Sequence, residues 1–268
     1  MDATVPRRQA GRRALPLSPA GRSAARRWGA LLGAFALWEL AARVVDSALM
    51  PTLGVIVARL ATDASSGLLW QHAQATLVRG FTGLAIGVAI GVALGVAMGL
   101  NRVVQYAIEP LLAATYPVPK LALYPFFILL FGFGTASKVA LVALECLYPL
   151  TYNVYSGVSG LDRRYLWAAQ NFGAGPAARA GVLLRGALPA LFAGLRIAVP
   201  IMLIVIVVTE LIGESLGLGF LIRSASTNFE PEGALAVILF LGLLGFLLDR
   251  LLLRAARYVV FWQQGIQG

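Results

Sequence analysis

The sequence predicts an all-α protein that crosses a membrane six times. Three observations carry that prediction. Hydrophobic residues fill 59% of the 268 positions and charged ones only 13%, about half the charge of an ordinary soluble chain. The apolar residues gather into runs of roughly 20, the length that spans a hydrocarbon core as a helix. Arginine collects at the ends of alternate runs, the asymmetry that orients a membrane protein. The net charge of +10 is therefore assigned to topology and to anionic membrane lipid, not to nucleic acid.

Residues 1–27 hold seven arginines against one acid, Asp2. Such a segment cannot bury enough surface to order itself and is expected to be a disordered, basic cytoplasmic tail. One membrane domain is expected over 28–258, with 259–268 as a cytoplasmic C-terminal tail. The first span is 28–45, where Glu39 and Arg43 stand four apart in the order that favours a helical ion pair. Met50-Pro51 breaks the chain. Residues 52–77 include Arg59, Asp63, Gln71, His72 and Gln74, too polar for a span, and read as an amphipathic segment and loop.

The second span, 77–100, carries glycine at every fourth position: Gly83, Gly87, Gly91, Gly95 and Gly99. Small residues at this spacing let helices approach closely in lipid. A period of four drifts about 40° per step around a 3.6-residue helix, so the stripe is expected to serve more than one neighbour. Asn101-Arg102 marks an inner loop. The third span, 109–133, is broken by Pro110, Pro117, Pro119 and Pro125, because proline frees carbonyls and bends helices. Gly132-Phe133-Gly134 then turns the chain outside. The fourth span, 138–155, has Glu145 near its middle. The fifth, 188–212, ends in Thr209-Glu210. Residues 213–233 read as an outer loop whose Glu214 escapes to the interface, and 234–253 is the sixth span.

Between the fourth and fifth spans lies a basic stretch, 161–188. Asp162 can cap a short helix through Asn171, which Gly173 would end with a left-handed turn. Gly175-Pro176 opens a second short helix, with proline where its missing N–H costs nothing, and Pro189 starts the next apolar run. Arg102, Arg163, Arg164, Arg179, Arg185, Arg250, Arg254 and Arg257 join the tail as the inner set of charges. Arg59, Arg79, Lys138 and Arg223 form the smaller outer set. Both termini then lie in the cytoplasm.

The run Ala168-Ala169, Gly173, Ala187-Leu188-Pro189 and Gly194-Leu195-Arg196 resembles the EAA loop of permease subunits of bacterial ABC importers, with the nitrate, sulfonate and taurine branch the nearest in look. The tract from Pro119 to Pro125 ending in Phe131-Gly132, Tyr148-Pro149 with Asn153, and Gly217-Leu218-Gly219 resemble further stretches of that family. The likeness runs from about residue 38 to 252. It implies a type I importer permease fold in the bacterial inner membrane and binding-protein-dependent import of a small anion such as a sulfonate, nitrate or organic carboxylate. It also implies a second permease subunit in a homodimer, two ATP-binding subunits, and a periplasmic or lipid-anchored substrate-binding protein. The loop would enter a groove of the ATPase through Trp167, Ala168, Ala169, Gly173, Ala174 and Pro176. Two departures stand out: the family's acidic residue falls on Trp167, and its first Leu-Pro falls on Leu184-Arg185.

No enzyme chemistry is legible. There is no GxxxxGK[ST] phosphate loop, no GxSxG and no HExxH. A lone cysteine, Cys146, allows neither a disulfide nor a thiolate metal site. His72, the one histidine, reads as a helix-end or loop residue, so no catalytic residue, metal or cofactor is expected. Ionisable groups inside spans are costly and by default mark a pair or a path. Lys120 and Glu145 lie at similar distances from the 132–134 turn in consecutive spans and are expected to face each other, with Lys120 open to a passing anion. Alternatively, Lys120 fills the bend left by Pro117 and Pro119. Glu210 is either a cap on the outer loop or part of a gate. Tyr124 and Tyr148, with Tyr116 and Tyr152, either line a polar path or pack. A secondary transporter would show two related halves, and neither these nor a catalytic constellation is present. A permease for another solute class is the remaining alternative.

Overall fold

The computed structural model describes residues 19–262, which divide into two units at Gly54. In the first unit, α1 (Pro19–Val45) begins before residue 28. The stretch 19–27, expected as tail, is therefore helical: proline suits a first helical position, and Ala20, Ala24 and Ala25 are strong helix formers. The expectation for 1–18 lies outside the described residues. Arg43 pairs with Glu39 at 2.7 Å, as the spacing predicts. The second Glu39 oxygen accepts the Leu53 N–H (2.9 Å), and Trp38 Nε1 donates to the Pro51 carbonyl (3.2 Å). These bonds fix the chain where Met50-Pro51 breaks it.

The second unit is built from α2 (Leu53–Ser65), α3 (Leu68–Leu100), α4 (Arg102–Thr115), a 3-10 turn (Lys120–Leu123), α5 (Tyr124–Phe131), α6 (Thr135–Ser159), α7 (Arg163–Asn171), α8 (Pro176–Glu210), α9 (Leu218–Thr227) and α10 (Pro231–Val259). The described residues contain no strand. Its organising seam joins α3 to α6. Gly83 faces Val142, Gly87 faces Cys146, Gly91 faces Leu150, Gly95 faces Val154 and Gly99 faces Val158. All five glycines thus serve one neighbour, not several. The drift of a four-residue period is absorbed because α6 presents its own i±4 row, and two inclined rows stay matched as the helices cross.

The pairing advances in the same direction along both helices, so α3 and α6 are parallel. Residues 101–134 must therefore carry the chain back along their length. They do so through α4 and α5, bent by 87°. Of the four prolines expected to break this segment, only Pro117 and Pro119 sit at the bend. Pro110 lies within α4, and Pro125 occupies the first turn of α5, where no N–H partner is lost. Asn101 Oδ1 accepts the Val103 N–H (2.8 Å), so α4 starts at once and no inner loop intervenes.

α8 runs antiparallel to α6, with Gly157 against Ala190 and Gly194 against Asn153. α10 runs antiparallel to α8, with Arg196 paired to Asp249 (3.1 Å) and Gly245 beside Leu203. The core lies where α6 and α8 meet: Leu141, Val142, Cys146 and Leu150 pack on Ala198, Met202 and Ile206, all fully buried. Three boundaries differ from expectation. α3 starts at Leu68, α8 continues from Pro176 through Pro189 and Pro200 without a second short helix, and α9 stands inside the expected outer loop. At 33 and 35 residues, α3 and α8 are about 50 Å long against a hydrocarbon core of about 30 Å. Their polar ends need not be loops to reach water. α3, α8 and α10 are each long and apolar enough to cross a membrane, and the bent α4–α5 pair qualifies together.

Candidate functional site

α7 stands out because none of its side chains is buried. Asp162 caps it, accepting the Arg164 N–H at 2.9 Å. At the other end, Ala174 N–H donates to the Ala169 carbonyl (2.9 Å) and Gly173 N–H to the Gln170 carbonyl (3.0 Å), with Gly173 at φ +75°. This paired closure is the Schellman stop expected of glycine at that position. Gly175 and Pro176 then start α8. Trp167 and Phe172 are exposed, Phe172 at 91%, while Ala169 and Ala174 are half-buried. Trp167, Ala168, Ala169, Gly173, Ala174 and Pro176 are thus brought together in one projecting helix, its turn and the start of α8, with Ala168, Phe172 and Gly173 exposed on the outside and Trp167 and Pro176 also on the wall of a cavity toward the bundle.

At the opposite end of the bundle is a buried ionic network that the sequence did not reveal. Glu210, at the end of α8, is 0% exposed. Its carboxylate accepts from Thr76 Oγ1 (2.8 Å), Arg79 Nη1 (2.9 Å) and the Gly219 N–H (3.2 Å). Thr76 Oγ1 also accepts the Leu218 N–H (2.8 Å), and Gly217 N–H donates to His72 Nδ1 (3.0 Å). Lys138, also 0% exposed, pairs with Glu214 at 2.7 Å. Arg79 reaches Glu214 at 3.5 Å, and Arg223 donates to the Glu214 carbonyl (2.6 Å). Glu214 therefore turns inward and does not escape to the interface, because a buried ammonium ion requires a counter-charge. A β-carbon on Gly217 or Gly219 would collide with Glu210, which explains both glycines of that motif. Glu210 holds the segment between α8 and α9, the cap reading.

Lys120 sits at the bend between α4 and α5, 7% exposed. Its Nζ donates to the Tyr116 carbonyl (3.2 Å) and lies 4.1 Å from the centre of the Tyr148 ring. Tyr148 OH bonds to Thr115 Oγ1 (2.8 Å), and Tyr152 meets Tyr116 edge-on. The expected pair with Glu145 is absent: no acid lies within 4.0 Å of Lys120 among the described residues, and the half-buried Glu145 forms no ion pair. Backbone freed by Pro117 and Pro119 supplies the acceptor, and the Tyr148 π-face supplies the remaining stabilisation. The five residues named for a path do not converge. Lys120 and Tyr148 share the bend, whereas Tyr124 is buried with its ring 5.8 Å from Lys138, beside the network that holds Glu210.

A helical bundle with three helices long and apolar enough to cross a membrane, a bent helix pair, buried charge at one end and a bare connecting helix at the other fits the class of polytopic membrane subunits. Residues 87–259 match the family described as binding-protein-dependent transport system inner membrane component, and the chain belongs to it. It is 35% identical to the formylaminopyrimidine transport permease protein ThiX of Halalkalibacterium halodurans, over 79% of this chain and 85% of that one. Against the aliphatic sulfonates transport permease protein SsuC of Escherichia coli, named as putative, identity is 36% over 83% and 86%. Against the taurine transport system permease protein TauC of the same organism it is 30% over 86% of each chain. The protein is thus an ABC importer permease of the sulfonate- and taurine-like branch, a multi-pass inner-membrane protein and not an enzyme. ATP hydrolysis falls to a partner subunit.

Proposed function

We propose that this chain forms the path for a small anion, a sulfonate in the first instance, as a homodimer working with two ATP-binding subunits and a substrate-binding protein. Lys120 carries this reading. It is a buried cation with no ion pair among the described residues, held by one carbonyl and aromatic faces, with Glu145 acting on it only from beyond 4.0 Å, so an anion arriving at the bend can meet its charge directly. The names of the SsuC and TauC relatives support a sulfonate. The ThiX relative supports a second reading, a heteroaromatic solute, which uptake competition between the two solute classes separates. Loss of one charge-assisted contact costs about 1.5–3 kcal/mol. Lys120→Met should accordingly lower sulfonate uptake tenfold or more while the protein still reaches the membrane, and Lys120→Arg should keep part of it. Wild-type uptake by Lys120→Met would remove the residue from the path.

The α7 turn is the proposed ATPase contact. Gly173→Val would place a branched side chain at φ +75°, which costs about 1–2 kcal/mol locally. It should uncouple ATP hydrolysis from uptake and leave the bundle's melting temperature unchanged. Normal coupled uptake would withdraw the assignment. Six spans are proposed from α1, α3, the α4–α5 pair, α6, α8 and α10, with both termini and α7 in the cytoplasm, on the arginine asymmetry. A single cysteine at Ala177 in a Cys146→Ser background should resist an impermeant thiol reagent in intact cells and react after lysis. Labelling of intact cells would invert the topology.

A further inference from the structure

At the α7 end of the bundle, two cavities of about 610 and 430 Å³ lie side by side. They share Gly99, Leu100, Ser159 and Arg163, at the ends of α3 and α6 and the start of α7. Arg179 lines the first and Arg102 the second, and no Asp or Glu lines either. Asp162 is directed to Arg164 (3.6 Å) and to its own helix start. Arg179 Nε is buried with no hydrogen-bond partner among the described residues, and a buried donor left unpaired calls for an acceptor the chain does not supply. We infer that Arg163 and Arg179, with Arg102 nearby, bind the phosphate of an anionic phospholipid headgroup in the leaflet on the α7 side. Guanidinium groups match phosphate oxygens in paired geometry. The rest of the walls favours a lipid over a free anion. Leu161, Leu166 and Leu183 line the first cavity and suit an acyl chain, while Trp167 and Tyr106 are the amphipathic rings that settle at headgroup level. A soluble ion would gain nothing from these surfaces. A basic pocket between membrane helices is a usual seat of an anionic headgroup. Since the first cavity lies directly against α7, such a lipid would brace the helix from its bundle side and leave the exposed face to a partner.

The test uses the full chain purified in mild detergent and titrated separately with dioleoyl phosphatidylglycerol, dioleoyl phosphatidylcholine and inorganic phosphate. Bound lipid is counted by native mass spectrometry, alongside the melting temperature. Phosphatidylglycerol should bind and raise the melting temperature, whereas phosphatidylcholine and phosphate should not. Arg163→Gln with Arg179→Gln should weaken phosphatidylglycerol binding about thirtyfold, and lysine at both positions should restore most of it. Arg163→Gln alone, on α7 where no side chain is buried, should give a smaller loss with the bundle's packing untouched, and Arg254→Gln should change nothing. Unchanged phosphatidylglycerol binding in the double variant overturns the site. So does phosphate binding as tightly as the lipid, which would make it a free-anion site. Unchanged lipid binding with loss of ATPase-subunit affinity would assign the arginines to the protein partner instead.

Discussion

Gly91→Val should leave too little folded protein to measure transport. A β-carbon at Gly91 would lie 2.8 Å from Leu150 Cβ, closer than real contacts come, and 3.1 Å from the Leu147 carbonyl, tighter than nearly all of them. Leu150 is fully buried and backbone cannot move aside, so the helices must separate along the seam. Overpacking of this kind costs about 1–3 kcal/mol and sometimes more, and here valine adds two further carbons. Even Gly91→Ala should lower the melting temperature, with Gly83→Ala and Gly95→Ala behaving alike because each meets α6 at 2.7–2.8 Å. Gly242 in α10 has nothing within 4 Å of its added β-carbon, so Gly242→Ala is the control. The check is size-exclusion recovery and thermal stability of the solubilised protein. A stable, monodisperse Gly91→Val would mean that α3 and α6 do not touch here.

Lys138→Met should be nearly as damaging, for an electrostatic reason. The Lys138 ammonium is wholly buried and, among the described residues, its one ion pair is with Glu214. Removing one member of a buried pair typically costs about 3–5 kcal/mol, because the other charge stays behind. Glu214 retains Arg79 at 3.5 Å, which places the expected loss at the lower end. Lys138→Met with Glu214→Gln should recover much of it, since replacing both charges removes the orphan. Comparison of thermal stabilities in a double-mutant cycle measures the coupling. If the double variant were no better than Lys138→Met alone, the pair would carry no interaction.

Local geometry was readable from the residues that set it. Asp162, Gly173 and Pro176 act on their own few neighbours, so the cap, the left-handed stop and the start of α8 were all legible. The glycine stripe announced a close helix contact, but not that one helix would take all of it. That depends on the i±4 row of α6, whose members Val142, Leu150 and Val158 look like ordinary apolar residues. The helix start at Leu68 was misplaced into a loop, and the helix that opens at Pro176 was ended before Pro189, for another reason: Gln71, His72 and Arg185 are polar, and polarity marks the limit of hydrocarbon, not the end of a helix. The buried network was illegible. Thr76 and Arg79 meet Glu210 more than 130 residues away, and nothing local distinguishes a lysine that anchors an outer end from one that is buried there. The Lys120–Glu145 expectation failed on the same point: similar distance from the 132–134 turn was read as bringing the two together, but Lys120 is held by the aromatic and carbonyl partners at the proline bend.

The parallel course of α3 and α6 also bears on how the chain is made. Each glycine meets a residue about 60 positions later, and at a synthesis rate of about 5–20 residues per second its partner arrives about 3–12 s after it. Through that interval α3 rests in the insertion machinery or the bilayer with its smooth face uncovered, and the chain must return through α4 and α5 before the seam can close. The newly made permease is therefore most open to membrane proteases and to wrong helix partners while it is half synthesised.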